Sequence, residues 1–256
     1  MGSILNQTWQ EFEYVVIDGG SSDGSSEFIE SKSENIDYWI SEPDKGIYNA
    51  INKGIKVATG EYLLFLNSGD HFFNNKVLKE NNQYLDFYEL IYFNIQVVGK
   101  ETSEIISYPI ELRFSDLYFE TLCHQSVFIK KELFERVGLY DENLKIVSDW
   151  KFFTLALFKY KCSYIKINET LSTFYLGGIS SQIDSSEERN QVLKENFNEY
   201  IMDYEELQRH RKLLKTNRFK MLSEIENTNI GRKIVSLFFR TYMIIFLKKK
   251  LKKILE

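Results

Sequence analysis

The sequence predicts an α/β, Rossmann-like fold in which a mixed, mainly parallel sheet is flanked by helices. Strand and helix patterns alternate from the N-terminus, with strands over 12–17 and 36–40, helices over 25–32 and 47–58, and a further strand over 62–66. The segment 62–66 holds only aliphatic and aromatic residues, which is typical of a strand buried on both faces. Acids follow two of these strands, at Asp18 and Asp70. Because ligands of open α/β sheets bind beyond the carboxyl ends of strands, we expect the functional site at this edge.

The alternation continues to about residue 184. Helical patterns cover 76–84, 114–121, 130–137 and 147–160, and strand patterns cover 90–98, 104–108, 126–129, 163–167 and 171–175. From about residue 185 the composition changes to Glu, Lys, Arg, Asn and Leu, which favours long exposed helices. We therefore expect a domain over 1–184 and a helical, basic extension over 185–256.

Composition excludes several classes of site. The 256 residues include two cysteines, Cys123 and Cys162, in apolar surroundings, and three scattered histidines. Neither zinc-ligand spacing nor a disulfide framework is present, so both cysteines are expected to be reduced. The N-terminal residues lack the pattern of a signal peptide, which predicts a cytoplasmic protein.

Charge divides the chain unevenly. The net charge is −5, yet residues 205–256 carry 14 Lys+Arg against 5 Asp+Glu. The acidic remainder argues against nucleic-acid binding, whereas the basic end suits an anionic surface.

The C-terminal segment 231–255 is apolar and basic together. Its uninterrupted apolar run is shorter than the roughly 20 residues that a membrane-spanning helix needs. A helix lying in the interface of an anionic membrane fits the pattern. The alternative is a helix packed on the protein body, with a solvated lysine cluster at its end.

Five motifs occur in an order that resembles family 2 glycosyltransferases of the GT-A fold, and among them bacterial polysaccharide-assembly enzymes of the colanic-acid type. The motifs are Asn6-Gln7-Thr8, Val16 to Gly24, Asp44 to Gly54, Ala58 to Tyr62, and Leu66 to Asp70. The resemblance covers roughly residues 3–180.

The resemblance implies a nucleotide-sugar donor site at the strand ends. Matching donor-side positions are Asp18, Asp44, Lys45, Asn67 and Gly69, and Asp70 matches the last acid of the family's metal motif. A single carboxylate together with diphosphate oxygens suits Mg²⁺ or Mn²⁺. The alternatives are a capping acid for Asp18, an ordinary turn acid for Asp70 and a solvated charge for Lys45.

The resemblance also implies an acceptor side. Asp149 matches the catalytic base, and His124 and Gln125 match an acceptor-side segment. The alternatives are a first-turn helix acid for Asp149 and a polar loop histidine for His124. The run Gly177-Gly178-Ile179-Ser180 resembles a mobile loop closing over the donor, or an ordinary turn.

Two departures from the family pattern stand out. The metal motif retains one acid where the family usually has two or three. Family members also have a strand and a helix before the motif at Asn6, and here that strand is absent or nearly so. Either the true start lies upstream or the chain is a truncated version. Loss of that strand predicts an exposed strand edge and a reduced donor pocket.

The expected activity is transfer of a sugar from a UDP- or GDP-linked donor to a hydroxyl of a lipid-linked glycan, with inversion, in cell-surface polysaccharide synthesis. The expected location is the inner face of the cell membrane. One alternative is a nucleotidyltransferase, although the Gly-rich basic loop of that class is absent. The other is a non-catalytic, nucleotide-sugar-binding or scaffold relative.

Overall fold

The computed structural model describes residues 1–178 and 183–247, which form two compact units, 1–196 and 197–256. The first unit extends beyond the predicted boundary at residue 184. It includes most of α8 (Ser186–Phe197), because Val192 and Leu193 of this helix are buried. Glu188 of α8 also accepts hydrogen bonds from the backbone N–H groups of Lys145 and Ile146.

The N-terminal part follows the predicted alternation. Its elements are α1 (Gly2–Leu5), β1 (Val15–Asp18), α2 (Ser25–Glu30), β2 (Tyr38–Ser41) and α3 (Ile47–Val57). The strands β1 and β2 pair in parallel, with Val15 opposite Tyr38 and Asp18 opposite Ser41. The buried stripe of α3 consists of Tyr48, Asn52 and Ile55, whereas Ile47 at the start of the helix is exposed.

A second sheet has six strands and is mostly antiparallel. The strands are β3 (Tyr62–Leu63), β4 (His71–Phe72), β5 (Leu90–Val98), β6 (Ser103–Ile106), β7 (Val127–Lys130) and β8 (Tyr164–Tyr175). Their order is β3-β7-β5-β8-β4, with β6 also on β5, and among these pairs only β5 and β8 run parallel. The prediction of a mainly parallel sheet is therefore wrong for this sheet. The short turn between β5 and β6 enforces an antiparallel pair, and β7 inserts antiparallel between β3 and β5.

The single strand β8 replaces two predicted strands. Its pairing with β5 shifts register between Tyr92 and Ile95, opposite residues 168–170, which separate the two predicted strands. The central strand β5 is buried on both faces, and alternate residues enter two apolar clusters. Leu90 and Tyr92 belong to one cluster, and Ile91 and Phe93 to the other.

The remaining helices of the first unit are short. They are α4 (Val77–Asn81), α5 (Phe114–Phe119), α6 (Glu132–Val137) and α7 (Ser148–Thr154), and α7 continues into a π-helical turn, Leu155–Lys159. A 3₁₀ turn, His124–Ser126, leads directly into β7.

A gap separates the two sheets. Within the described part of the chain, β1 pairs only with β2, and β3 only with β7. The strand predicted to reach Leu66 ends at Leu63, since residues 64–66 have no strand partner in the described part. A cleft of about 1560 Å³ is lined from one side by Val15 and Ile17 and from the other by Leu63 and Phe65.

The second unit is helical. After a 3₁₀ turn it contains α9 (Ile201–Leu214), α10 (Asn217–Glu226) and α11 (Asn229–Tyr242), which continues into a π-helical turn, Met243–Leu247. Thr216 and Thr228 cap α10 and α11, because their hydroxyls accept from the backbone N–H groups of Phe219 and Gly231. None of the helices in the described ranges is long and apolar enough to cross a membrane. Residues 248–255 of the predicted membrane-binding segment and residues 179–180 of the predicted mobile loop lie outside the described ranges.

Candidate active site

Asp149 lies in the first turn of α7. This is the position that the alternative interpretation, a first-turn helix acid, also predicts. Its Oδ1 accepts a hydrogen bond from the backbone N–H of Trp150, at 2.8 Å. The buried indole of Trp150 donates in turn to the Leu117 carbonyl, at 2.6 Å, which anchors this helix end in the core. About 15% of the Asp149 side chain is exposed, and its carboxylate lines the cleft. The helix end that carries it is held in the core by Trp150.

Two further side chains contact the Asp149 carboxylate. The Tyr48 hydroxyl donates to Oδ1 at 3.1 Å, and His124 Nδ1 lies 2.9 Å from Oδ2. Burial raises the pKa of Tyr48 far above its ordinary value, and the nearby Asp149 charge adds to the shift, so this phenol is a permanent donor. A carboxylate has about four acceptor positions, and three donors occupy Asp149, which leaves capacity for one more.

His124 is buried between two polar groups. Its Nε2 lies 3.1 Å from the amide nitrogen of Asn67, on the side of the ring opposite Asp149. Both ring nitrogens therefore have protein partners. The predicted contact of His124 with an acceptor stays a prediction.

Asp70 closes the turn after β3. Gly69 adopts φ +95°, a conformation that favours glycine, and the turn places the Asp70 N–H on the Asn67 carbonyl at 3.0 Å. Gln125 donates to Asp70 Oδ2 at 2.8 Å. Burial raises the pKa of Asp70, which means that its negative charge is under-compensated in this structure.

The surroundings of Asp70 fit a cation that also binds substrate oxygens. In residues 1–178 and 183–247, no group of three or more His, Cys, Asp or Glu side chains is arranged to hold a metal ion. One partly buried carboxylate with an under-compensated charge suits Mg²⁺ or Mn²⁺ when diphosphate oxygens supply further ligands.

The Asp18 carboxylate organises its own loop. It accepts hydrogen bonds from the Ser21 hydroxyl at 2.6 Å, from the Ser41 hydroxyl at 2.5 Å, and from the N–H groups of Gly20 and Ser21. The Ser21 and Ser41 hydroxyls are the main cause that lowers the pKa of Asp18 to about 2. Asp18 is buried, does not line the cleft and does not cap α2, whose N-cap is Gly24 without a side-chain cap. It holds its own loop instead, and its predicted donor contact stays a prediction.

The loop of Asp44 and Lys45 borders the same cleft. Asp44 accepts a hydrogen bond from the Gly46 N–H at 2.9 Å and packs against Gly19 so closely that an added Cβ would lie 2.3 Å from its Oδ2. A side chain at position 19 would displace the Asp44 carboxylate. Lys45 is exposed at the cleft, with its backbone N–H on Asn49.

Sequence reasoning missed three residues that hold the site. Tyr48 and Asn52 lie on the buried stripe of α3, and Asn52 bonds both backbone groups of Tyr140. A polar Asn within an apolar helical stripe was the available signal. The Arg189 guanidinium of α8 stacks 4.9 Å from the Trp150 ring, and its Nε has no hydrogen-bond partner in the described part of the chain.

The cleft brings together most of the predicted site residues. Asp44, Lys45, Asn67, Gly69, Asp70, His124, Gln125 and Asp149 all line it, as does Arg189. Acids from a turn and from a helix N-terminus thus face one cavity large enough for a nucleotide sugar. Such an arrangement can bind a charged ligand and accept a proton from a hydroxyl group.

The sequence is similar to those of known glycosyltransferases. A PGL/p-HBAD biosynthesis glycosyltransferase of Mycobacterium tuberculosis is 29% identical over 158 residues, which cover 59% of this chain and 60% of the relative. The chain thus spans about three fifths of that relative's length. Because this and other relatives are mycobacterial, the expected likeness to colanic-acid-type enzymes is corrected to the family as a whole.

Two solved structures share the fold. S. aureus TarS 1–349 in complex with UDP has a TM-score of 0.57 at 17% identity, covering 88% of this chain and 72% of that one. The mannosyltransferase PcManGT from Pyrobaculum calidifontis, in complex with GDP-Man and Mn²⁺, has a TM-score of 0.54 at 15% identity, covering 94% and 75%. The family model "Glycosyl transferase family 2" matches residues 1–137, more than half of the sequence. The chain belongs to glycosyl transferase family 2.

Proposed function

We propose that this protein transfers a sugar from a UDP- or GDP-linked donor to a hydroxyl group of a lipid-linked glycan in cell-surface polysaccharide synthesis. The observation that carries the proposal is the shared cleft, in which Asp149 and Asp70 face the same cavity. Family membership supports the reaction class. Relatives of the fold bound to UDP, or to GDP-Man with Mn²⁺, support a nucleoside-diphosphate donor.

Asp149 is the proposed base. The acceptor oxygen attacks the anomeric carbon and forms the new glycosidic bond, the bond from that carbon to the diphosphate breaks, and Asp149 takes the hydroxyl proton. One base and one direct displacement predict inversion at the anomeric carbon. A product with retained configuration, detected by NMR, would rule out this mechanism.

Charge on the departing diphosphate needs compensation. Asp70 would hold Mg²⁺ or Mn²⁺ together with the diphosphate oxygens, and the ion would neutralise charge on the leaving group. Asp18, Asp44, Lys45, Asn67 and Gly69 are the proposed donor-side residues, and Gln125 orients Asp70. Arg189, with its unpaired Nε at the cleft, is a second source of positive charge for the diphosphate.

The reaction can be tested by nucleoside-diphosphate release from a panel of UDP- and GDP-sugars with Mn²⁺. We expect Asp149→Asn to lower turnover by roughly a hundredfold or more while donor binding stays within about twofold, because only proton transfer is lost. Asp203→Asn, the same change at an exposed position of α9, serves as the control. Wild-type turnover in Asp149→Asn would remove Asp149 from the mechanism.

A second candidate function is a non-catalytic nucleotide-sugar-binding or scaffold protein. It is favoured by the unpaired edges of β1 and β3, which leave one wall of the cleft without a strand in the described part. Donor binding without turnover in the wild type would support this candidate against the enzyme.

We also propose a cytoplasmic location on the inner face of the cell membrane. Support comes from α11, whose residues Ile230, Ile234, Leu237 and Phe238 are more than half exposed and share one helical face. Lys233 and Arg240 flank this face, Arg232 lies opposite it, and all three suit anionic headgroups. An enzyme held there would meet lipid-linked acceptors, and no nucleic-acid partner is proposed.

A further inference from the structure

His124 stands between two groups of the site that lie far apart in the sequence. On one side its Nδ1 is 2.9 Å from Asp149 Oδ2, in the first turn of α7. On the other side its Nε2 is 3.1 Å from Asn67 Nδ2, in the turn that carries Asp70. Only 6% of His124 is exposed, so water cannot readily replace either partner.

The two contacts define the protonation of the ring. The Asn67 amide nitrogen is a donor, so Nε2 must accept and carries no proton. The remaining ring proton is then on Nδ1, where it donates to the Asp149 carboxylate. A neutral imidazole in this tautomer satisfies all three groups at once.

The orientation of Asp149 depends on this contact. The hydroxyl of Tyr48 and the N–H of Trp150 both donate to Oδ1, whereas His124 is the side chain of the described residues that holds Oδ2. With Oδ2 released, the carboxylate could rotate about its bond to Cβ. The orientation of the Asp149 carboxylate relative to an acceptor hydroxyl would then vary.

We propose that His124 is a positioning residue, which fixes the Asp149 carboxylate and connects it to the Asn67–Asp70 turn. This inference deepens the proposed function, since it rests on Asp149 as the base. A displacement of the turn when donor binds would be transmitted to Asp149 through a single ring. His124 itself need not touch either substrate.

The first test does not require activity. The chain has three histidines, so a long-range ¹H–¹⁵N spectrum of ¹⁵N-histidine-labelled protein resolves few signals. We expect one ring protonated at Nδ1 and not at Nε2, whose signals disappear in His124→Gln and persist in His210→Gln. A proton on His124 Nε2 would overturn the proposal.

The second test separates the two contacts kinetically. His124→Asn keeps an amide donor near the position of Nδ1, whereas His124→Gln keeps a polar group near Nε2. We expect His124→Gln to lower kcat by roughly tenfold to a hundredfold with the donor KM within about twofold, and His124→Asn to lose less. Positioning through Asp149 would be contradicted if both variants had the same kcat, whether or not it was reduced. It would also be contradicted if His124→Asn lost more activity than His124→Gln.

The outcomes distinguish this inference from the proposed function. If the wild type has no turnover with any donor sugar, the proposed function fails, and the tautomer of His124 still decides whether the histidine holds the carboxylate and the turn together. Circular dichroism and thermal melting of both variants show whether a kinetic loss reflects unfolding.

Discussion

The three acids of the predicted site have different environments. Hydroxyl groups hold the pKa of Asp18 at about 2, burial raises the pKa of Asp70, and Asp149 accepts from a phenol, an imidazole and a backbone N–H. Residues of one chemical type are thereby suited to different tasks. Asp18 stabilises a loop, Asp70 suits a cation, and Asp149 is oriented towards the cleft.

The hydrogen bond from Ser41 to Asp18 gives a prediction about stability and pH. The folded pKa of about 2 lies below the ordinary 3.8, so ionised Asp18 stabilises the fold above about pH 4. This contribution disappears as the pH falls from about 4 to about 2. We expect Ser41→Ala to lower the free energy of unfolding by about 1–2 kcal/mol at pH 7, measured by urea titration, and by less at pH 3.

Ser22→Ala is the matched control for this prediction. Ser22 is exposed in the same loop, and we expect no measurable change in the free energy of unfolding at either pH. A loss in Ser41→Ala that is the same at pH 7 and pH 3 would show that the Asp18 charge is not involved.

Sequence reasoning found candidates at this scale but not their partners. The acids were visible as Asp18 and Asp70 after strands and as Asp149 in the first turn of a helix. The Tyr48–Asp149 contact joins residues 101 positions apart, and no local pattern encodes such a pair. The same holds for His124, which the resemblance assigned to an acceptor-side segment without indicating its contacts with Asp149 and Asn67.

Among the elements, α3 contacts both Asp149 and the segment that precedes α7. One face supplies Tyr48 to Asp149, and Asn52 one turn later binds the backbone N–H and C=O of Tyr140 and the carboxylate of Glu142. Asn52 is 2% exposed, so its loss would leave buried backbone groups of Tyr140 unpaired. The helix therefore fixes the segment that precedes α7.

This role of α3 predicts a selective loss of stability. We expect Asn52→Ala to lower the free energy of unfolding by about 3 kcal/mol, because several buried hydrogen bonds are lost together. Tryptophan fluorescence in urea measures the first unit, which contains all three tryptophans.

The control is Asn49→Ala in the same helix. Asn49 donates one exposed hydrogen bond to Glu142, and we expect a loss below about 1 kcal/mol. Similar losses in the two variants would mean that the buried amide contacts of Asn52 contribute little.

Helix and strand existence could be predicted from periodicity, whereas strand direction could not. The parallel pair β1–β2 follows from the helix between its strands. Strand direction in the second sheet depends on the insertion of β7 between β3 and β5. This is a long-range pairing that the local sequence of each strand does not encode. The two strands predicted over 163–167 and 171–175 form one strand, β8, because a register shift against β5 accommodates the polar residues 168–170.

At the scale of the whole molecule, the proposed membrane contact of α11 can be tested on the full chain. We expect the full chain to cosediment with vesicles containing phosphatidylglycerol and less with phosphatidylcholine alone, because basic side chains of α11 accompany its apolar face. Phe238→Asp should weaken vesicle binding roughly tenfold or more, since an exposed aromatic ring that would enter the membrane is lost and a negative charge meets the anionic headgroups.

Met202→Asp is the control for the vesicle experiment. It makes the same kind of change at an exposed apolar residue of α9, outside the proposed surface, and we expect vesicle binding to be unchanged. Equal binding by the wild type and Phe238→Asp would remove α11 from membrane attachment.

The most direct test of the central claim is calorimetric titration of the purified chain with UDP and with GDP, each with and without Mn²⁺. We expect one nucleotide to bind, with an affinity that depends on Mn²⁺ and that Asp70→Ala abolishes, because Asp70 and the diphosphate would share the ion. Metal-dependent binding of this kind would establish the donor site and identify its nucleotide. If neither nucleotide binds under any of these conditions, the cleft is not a nucleotide-sugar site and the proposed transferase activity is wrong.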